Sequence, residues 1–255
     1  MDYKKIIKSI ALVVIIVFQI LFTFFPSKET GILFALLIFG IFIWFNYIKS
    51  YDSMNFALLY FLIMICNFLP YFRFWPMPAG FLLFLILQIV FPNLRKNSKW
   101  FKVGKYSSKN VVLLILTIVI SAGILVLWYL ITLPDLNPMV TSLKDKSKIV
   151  IIISIICFAI INAIVEESIF DGICYRAMEE HFKIPIIFIG LQALSYSVSH
   201  FHGIPNGYIG ILLSFIYGGL MLGGLRYLSK GLVFPVIAHI FADLTIAILA
   251  FSVLI

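Results

Sequence analysis

The stretch that decides the fold is AIVEESIFDGICYRAMEEHF, residues 163–182. It begins like the apolar interior of a membrane-spanning helix and then places Glu166, Glu167 and Asp171 in quick succession. Charged side chains at lipid depth are unfavourable, and those that occur in spans usually face a cavity or a partner group. The stretch therefore predicts a polar site inside a bundle of membrane helices.

The whole chain has the composition of an integral membrane protein. Of its 255 residues, 63% are hydrophobic and 12% are charged, which excludes an ordinary soluble domain. Apolar runs long enough for a helix to cross a bilayer recur along the sequence, whereas the alternating pattern of a β-barrel is absent. We expect an all-α, polytopic transmembrane bundle of about eight or nine spans, because the fourth run is short and bounded by proline. The predicted spans cover residues 9–25, 31–48, 55–71, 78–92, 111–134, 149–175, 184–201, 208–228 and 233–253.

Charge divides the chain into two parts of a single membrane domain. No ionisable residue lies deep in a span before residue 150, so residues 1–110 are predicted to be an N-terminal transmembrane scaffold and residues 111–255 the working core. The positive-inside rule predicts a cytoplasmic N-terminus and a cytoplasmic loop 94–110, which also suits contact with anionic membrane lipids. The net charge of +8 thus belongs to loops, and we expect no nucleic-acid partner. The basic residues of this loop are Arg95, Lys96, Lys99, Lys102, Lys105 and Lys109.

Spacing predicts that the deep polar residues converge. If the chain forms a helical hairpin around Lys183, Glu167 and His200 return to the same depth, roughly 25 Å from the turn. His239 and Asp243 are four residues apart, which places them on one face of the last helix. We therefore expect a carboxylate, two imidazoles and a second carboxylate from three helices to line one pocket.

This combination of residues suits hydrolysis. A buried glutamate can act as a general base toward water. Two histidines and a carboxylate can bind zinc and leave a position for water, and without a metal the same histidines can stabilise an oxyanion. Each residue also has a structural alternative: a polar contact between helices for Glu166 and Glu167, and a hydrogen-bonded pair for His239 and Asp243. We expect Arg176, Glu179, Glu180 and His181 to form a solvated helix end, and His202 to lie in a loop.

Three short motifs in this region resemble those of the CPBP intramembrane proteases, the CAAX prenyl-protease and bacteriocin-processing (Abi) family. The first, EExxxR, stands here as residues 166–171, EESIFD. The second, FxxxH, stands as residues 196–200, YSVSH, and the third, HxxxN or HxxxD, as residues 239–243, HIFAD. The resemblance covers about residues 149–245 and would make 111–255 a CPBP-like transmembrane core.

The resemblance implies roles for individual residues. Glu166 matches the catalytic glutamate that activates water, and His200, His239 and Asp243 match the residues that hold the water, a metal ion or the oxyanion. A divalent metal such as zinc would be held by Glu166, His200 and His239, although the family resemblance leaves open whether a metal is used. Asp171 stands where the family has arginine, so Glu167 faces a like charge. We therefore expect that one carboxylate of this supporting pair is protonated, or that a cation lies beside it.

The implied activity is hydrolysis of a peptide bond in a lipidated, membrane-associated or bacteriocin-type peptide. The expected partners are membrane lipids and that peptide or protein substrate, and the expected location is a bacterial cell membrane. One alternative is a catalytically impaired relative that acts as a membrane scaffold or bacteriocin-immunity protein. A second is a transporter that uses the carboxylates for ion coupling. The sequence predicts neither the substrate's identity nor the oligomeric state.

Overall fold

The computed structural model describes residues 3–136, 140–143 and 145–252 as a helical bundle without strands. Residue 253 at the end of the predicted ninth span, the start of the predicted scaffold (residues 1–2) and the end of the predicted core (residues 253–255) lie outside these ranges. The helices are α1 (Tyr3–Phe24), α2 (Lys28–Tyr47), α3 (Tyr51–Cys66), α4 (Pro76–Val90), α5 (Pro92–Lys96), α6 (Ser108–Thr132), α7 (Lys148–Glu167), α8 (Tyr175–His181), α9 (Pro185–Ser199), α10 (Gly207–Ser214), α11 (Leu222–Ser229) and α12 (Val233–Ser252). Two π-helical segments, Ser168–Cys174 and Phe215–Met221, join α7 to α8 and α10 to α11.

The predicted fold class is confirmed. Six of the described helical stretches are long and apolar enough to cross a membrane, and α3, α4 and α9 are shorter apolar helices. Large hydrophobic side chains are exposed along the long helices, for example Leu36, Val119 and Ile161. A soluble monomer rarely exposes so much contiguous apolar surface, so these faces suit the interior of a bilayer.

Local sequence explains where several helices begin. The hydroxyls of Ser27, Ser107 and Ser147 each accept a hydrogen bond from the backbone N–H three residues later, which caps α2, α6 and α7. Serine is a favoured cap because its side chain satisfies one of the free N–H groups of the first turn. Proline opens α4 and α9, where its missing N–H removes no helical hydrogen bond.

The central helix of the bundle is α9, which packs against α1 on one side and the second π-helical segment on the other. Ser195 ties it to the N-terminal helices: its hydroxyl lies 2.7 Å from Oε1 of Gln19 and 2.5 Å from the hydroxyl of Tyr60. The helix α12 packs against α6 and α7. The N-terminal helices thus support one face of α9, and the deep polar residues lie on its other face.

The end of α8 differs from the predicted solvated helix end. Arg176 does pair with Glu179, but it also reaches Asp52 of α3 at 3.1 Å. His181 is buried, and its Nε2 lies 2.8 Å from the hydroxyl of Ser53. The spacing of the charges identified the pair within the helix, whereas the contacts with α3 depend on tertiary packing.

The basic loop after α5 folds back onto the turn before α12. The backbone N–H of Lys105 donates to the carbonyl of Ser229 at 2.7 Å, and the N–H of Leu232 donates to the carbonyl of Lys102 at 2.8 Å. Gly104, with a φ of 108°, allows the close approach, since a Cβ on Gly231 would lie 2.1 Å from its Cα. The loop therefore fixes the start of the helix that carries His239.

Candidate active site

The deep polar residues meet where α7, α9 and α12 come together. Nε2 of His200 lies 3.3 Å from Oε2 of Glu166, and Nε2 of His239 lies 3.8 Å from the same oxygen. Nε2 of His239 is also 3.5 Å from Oδ1 of Asp243. The structure thus brings Glu166, His200, His239 and Asp243 together, and all but the half-buried His200 are buried.

The expected pairing of Glu167 with His200 is wrong in detail. Glu166 faces His200, whereas Oε1 of Glu167 lies 2.7 Å from Nδ1 of His239. Counting residues from the hairpin turn gives the depth of a side chain but not its direction. Neighbouring residues on a helix point about 100° apart, so only one of the two glutamates can face α9.

Hydrogen bonds fix which ring nitrogens face the shared space. Nδ1 of His239 lies against a carboxylate oxygen, and Nδ1 of His200 lies 3.0 Å from the backbone carbonyl of Tyr196. A backbone carbonyl can only accept, so Nδ1 of His200 carries the hydrogen, and an ionised Glu167 places the hydrogen of His239 on Nδ1 in the same way. The two Nε2 atoms therefore point toward Glu166, where they accept when the ring is neutral and donate when it is protonated.

Three further residues shape the site: Tyr196 opens the second motif, whereas Asn162 and Tyr217 lie outside the three motifs. Asn162, one turn before Glu166, donates from Nδ2 to Oδ2 of Asp243 at 3.1 Å. The ring of Tyr196 stacks on His200 with centroids 4.4 Å apart. The hydroxyl of Tyr217 donates to the backbone carbonyl of Ala238 at 3.0 Å. Asn162 is a polar residue at i−4 from a buried glutamate, which is the signal that could have identified it.

A cavity adjoins the two histidines and Asp243. It leaves about 50 Å³ open to the centres of water molecules, several times the roughly 10–15 Å³ that one water requires. Oε2 of Glu166 accepts no hydrogen bond from the part of the chain that the structure describes. A buried polar atom of this kind usually binds water or a ligand. The lining of the cavity is Ser121, Ile124, Leu125, Tyr196, His200, Ile204, Pro205, Leu213, Ser214, Tyr217, His239, Ala242, Asp243 and Ile246.

Oε2 of Glu166 and the Nε2 atoms of His200 and His239 are donor atoms of the types that bind a metal ion such as zinc. Among the described residues, no group of three or more His, Cys, Asp or Glu side chains is placed to hold one. His202 is exposed in the loop after α9, as expected, and the three cysteines, Cys66, Cys157 and Cys174, are free.

The fold and the site together define a multi-pass helical membrane protein with a buried carboxylate–imidazole centre. Residues 148–245 match the family model described as "Type II CAAX prenyl endopeptidase Rce1-like". This match supports the resemblance that the three motifs carry. No curated protein and no solved structure matches the chain.

Proposed function

We propose that this protein is an intramembrane endopeptidase that hydrolyses a peptide bond of a lipidated or membrane-embedded peptide, with water activated by Glu166. The observation that carries the proposal is the convergence of Glu166 with the Nε2 atoms of His200 and His239 beside a cavity large enough for water. The match to an endopeptidase family over residues 148–245 supports the same reaction.

In this mechanism, Glu166 is the general base. A water molecule in the cavity gives a proton to Oε2 of Glu166, and its oxygen attacks the carbonyl carbon of the scissile bond. The proton then passes from Glu166 to the leaving nitrogen, the C–N bond breaks, and the glutamate regains its charge. Proton transfers by a positioned carboxylate typically contribute about 10²–10⁴-fold to a rate.

The two histidines stabilise the charge that develops on the carbonyl oxygen. When its ring is protonated, His200 or His239 can donate from Nε2 into the space that Glu166 faces. Fixed donors in a site shielded from water stabilise an oxyanion without reorganising during the reaction. Glu167 holds His239 through Nδ1, and Asn162 holds Asp243, so both partners keep their orientation.

The substrate class follows from the lining of the cavity and from the family. Most of the lining side chains are apolar, which suits a peptide carrying a lipid or lying in the membrane. We propose a prenylated peptide with a C-terminal CAAX sequence as the first candidate substrate, since the matching family is described as a CAAX prenyl endopeptidase. A bacterial cell membrane with the N-terminus in the cytoplasm is the proposed setting.

A cleavage assay with one catalytic variant and one control tests the proposal. Protein in lipid nanodiscs is incubated with a farnesylated CAAX peptide and with a membrane-embedded peptide, each carrying a quenched fluorophore. Glu166→Gln should lower the rate by at least about 10²-fold while the thermal unfolding temperature stays close to that of the wild type. Glu29→Gln, at an exposed position, should change neither. Equal cleavage by the wild type and Glu166→Gln would refute the role of Glu166, and no cleavage by any variant would favour a scaffold.

A further inference from the structure

Two buried carboxylates, those of Glu167 and Asp171, lie beside the site. Glu167 and Asp171 are 1% and 0% exposed, and they lie four residues apart in the chain. Like charges at this spacing repel, more strongly in an apolar interior than in water. Among the described residues, Arg226 is the only buried lysine or arginine, at 3% exposure. A buried cation is itself unfavourable unless it is paired. The buried carboxylates and the buried guanidinium of Arg226 are therefore candidates for one charge pairing.

The guanidinium of Arg226 is held against the segment that carries Asp171. Its Nε donates to the backbone carbonyl of Asp171 at 3.0 Å. Its central carbon lies 5.1 Å from the centroid of the Tyr175 ring, within the range of a cation–π contact. Asp171 lies in the first π-helical segment, and such wider turns leave carbonyls free for outside donors and often occur at functional sites. The contact therefore joins α11 to the glutamate-bearing part of the chain.

The carboxylate of Asp171 faces the same helix. A Cβ on Gly223, one turn before Arg226, would lie 3.7 Å from Oδ1 of Asp171. Neither carboxylate oxygen of Asp171, nor Oε2 of Glu167, has a hydrogen-bond partner in the described part of the chain. Arg226 is thus held against the backbone of Asp171, and no other lysine or arginine of the described chain is buried.

We propose that Arg226 is a positioning residue, whose charge lets Glu167 and Asp171 lie together and so keeps Glu167 on His239. It acts through the 2.7 Å contact between Glu167 and His239. Loss of the charge would leave two like charges together, and Glu167 would turn away from His239. The consequence for catalysis rests on the proposed function, whereas the charge pairing itself does not.

The test is a double-mutant cycle in thermal unfolding, with detergent-purified protein. Arg226→Gln should lower the unfolding temperature by on the order of 5 °C or more. Asp171→Arg alone should also lower it, because it places a second cation beside Arg226. The double variant should regain most of the loss, because the arginine at position 171 then supplies the missing charge. Arg73→Gln, which removes a cation from an exposed loop position, should leave the unfolding temperature unchanged.

The outcome is decisive even if no substrate is cleaved. The proposal is overturned if the double variant is no more stable than the less stable single variant. It is also overturned if the decreases in unfolding temperature of the two single variants simply add in the double variant. If Arg226→Gln fails to fold, recovery of folded protein in the double variant becomes the readout, and a failure to recover counts against the proposal. With cleavage as a second readout, Arg226→Gln should lower kcat at an unchanged KM, and the double variant should restore kcat. Restored stability without cleavage in any variant would refute the proposed function alone.

Discussion

Replacing Gly218 by alanine tests how closely the packing behind the site holds His200. Gly218 lies in the second π-helical segment, directly against the ring of Tyr196. A Cβ at this position would lie 1.9 Å from Cε1 of Tyr196. Carbon atoms in contact prefer about 3.5–4.0 Å, so the ring would have to move by roughly 1.6 Å or more.

That movement would be passed on to the catalytic residues. The Tyr196 ring stacks on His200, and Nε2 of His200 lies only 3.3 Å from Glu166. Overpacking of a well-packed interior typically destabilises by about 1–3 kcal/mol. A misplacement of about 1 Å near the chemistry can reduce a rate by roughly 10²-fold. We therefore expect Gly218→Ala to lower the cleavage rate by about that factor, with a smaller effect on stability.

The matched control is Gly224→Ala, only six residues further along the chain. No atom lies within 4 Å of the Cβ that this change would add. Alanine is also favoured over glycine in a helix by roughly 0.5–1 kcal/mol, so the control should be neutral or slightly stabilising. Unfolding temperature and peptide cleavage are measured for both variants in nanodiscs. Equal unfolding temperatures and equal cleavage rates of the two variants would refute the claim that the packing of the Tyr196 ring requires glycine at position 218.

Two further predictions concern the scaffold and the orientation. Gly31→Ala should lower the unfolding temperature, because its Cβ would lie 2.1 Å from Cζ of Phe68. Gly40→Ala on the same helix is the control, because its Cβ would meet no atom within 4 Å. Equal unfolding temperatures of the two variants would contradict this packing. In a Cys157→Ser background, a cysteine at exposed position 96, introduced by Lys96→Cys, should resist a membrane-impermeant thiol reagent added to intact cells and react after lysis. Efficient labelling of intact cells would reverse the predicted topology.

The sequence predicts the helices, and the distance of the site residues from the hairpin turn, because both follow from the number of residues along the chain. Apolar runs set the helix lengths, and the four-residue spacing of His239 and Asp243 gives the observed contact along one helix face. The direction of side chains on neighbouring helices is harder to predict. Glu166 rather than Glu167 contacts His200 because of the rotation of α7 about its own axis. The spacing of residues within one helix does not determine that rotation.

The contacts that the sequence does not predict arise between distant parts of the chain. The expectation that one carboxylate of Glu167 and Asp171 is protonated, or that a cation lies beside them, does not name the residue that would supply the charge. Arg226 lies fifty-five residues from Asp171 in the sequence, in an otherwise unremarkable helix end. The π-helical segments are also absent from the prediction, since a single extra residue in a helical turn leaves no periodic signal.

The most direct test of the central claim is mass spectrometry of the cleavage products formed in H₂¹⁸O. Wild-type protein and Glu166→Gln are incubated in parallel with the farnesylated CAAX peptide in nanodiscs. If Glu166 activates water for direct attack, the new carboxyl group of the wild-type product carries one ¹⁸O atom, and Glu166→Gln forms almost no product. Product formed equally by both proteins, or wild-type product without ¹⁸O in its new carboxyl group, would contradict the account.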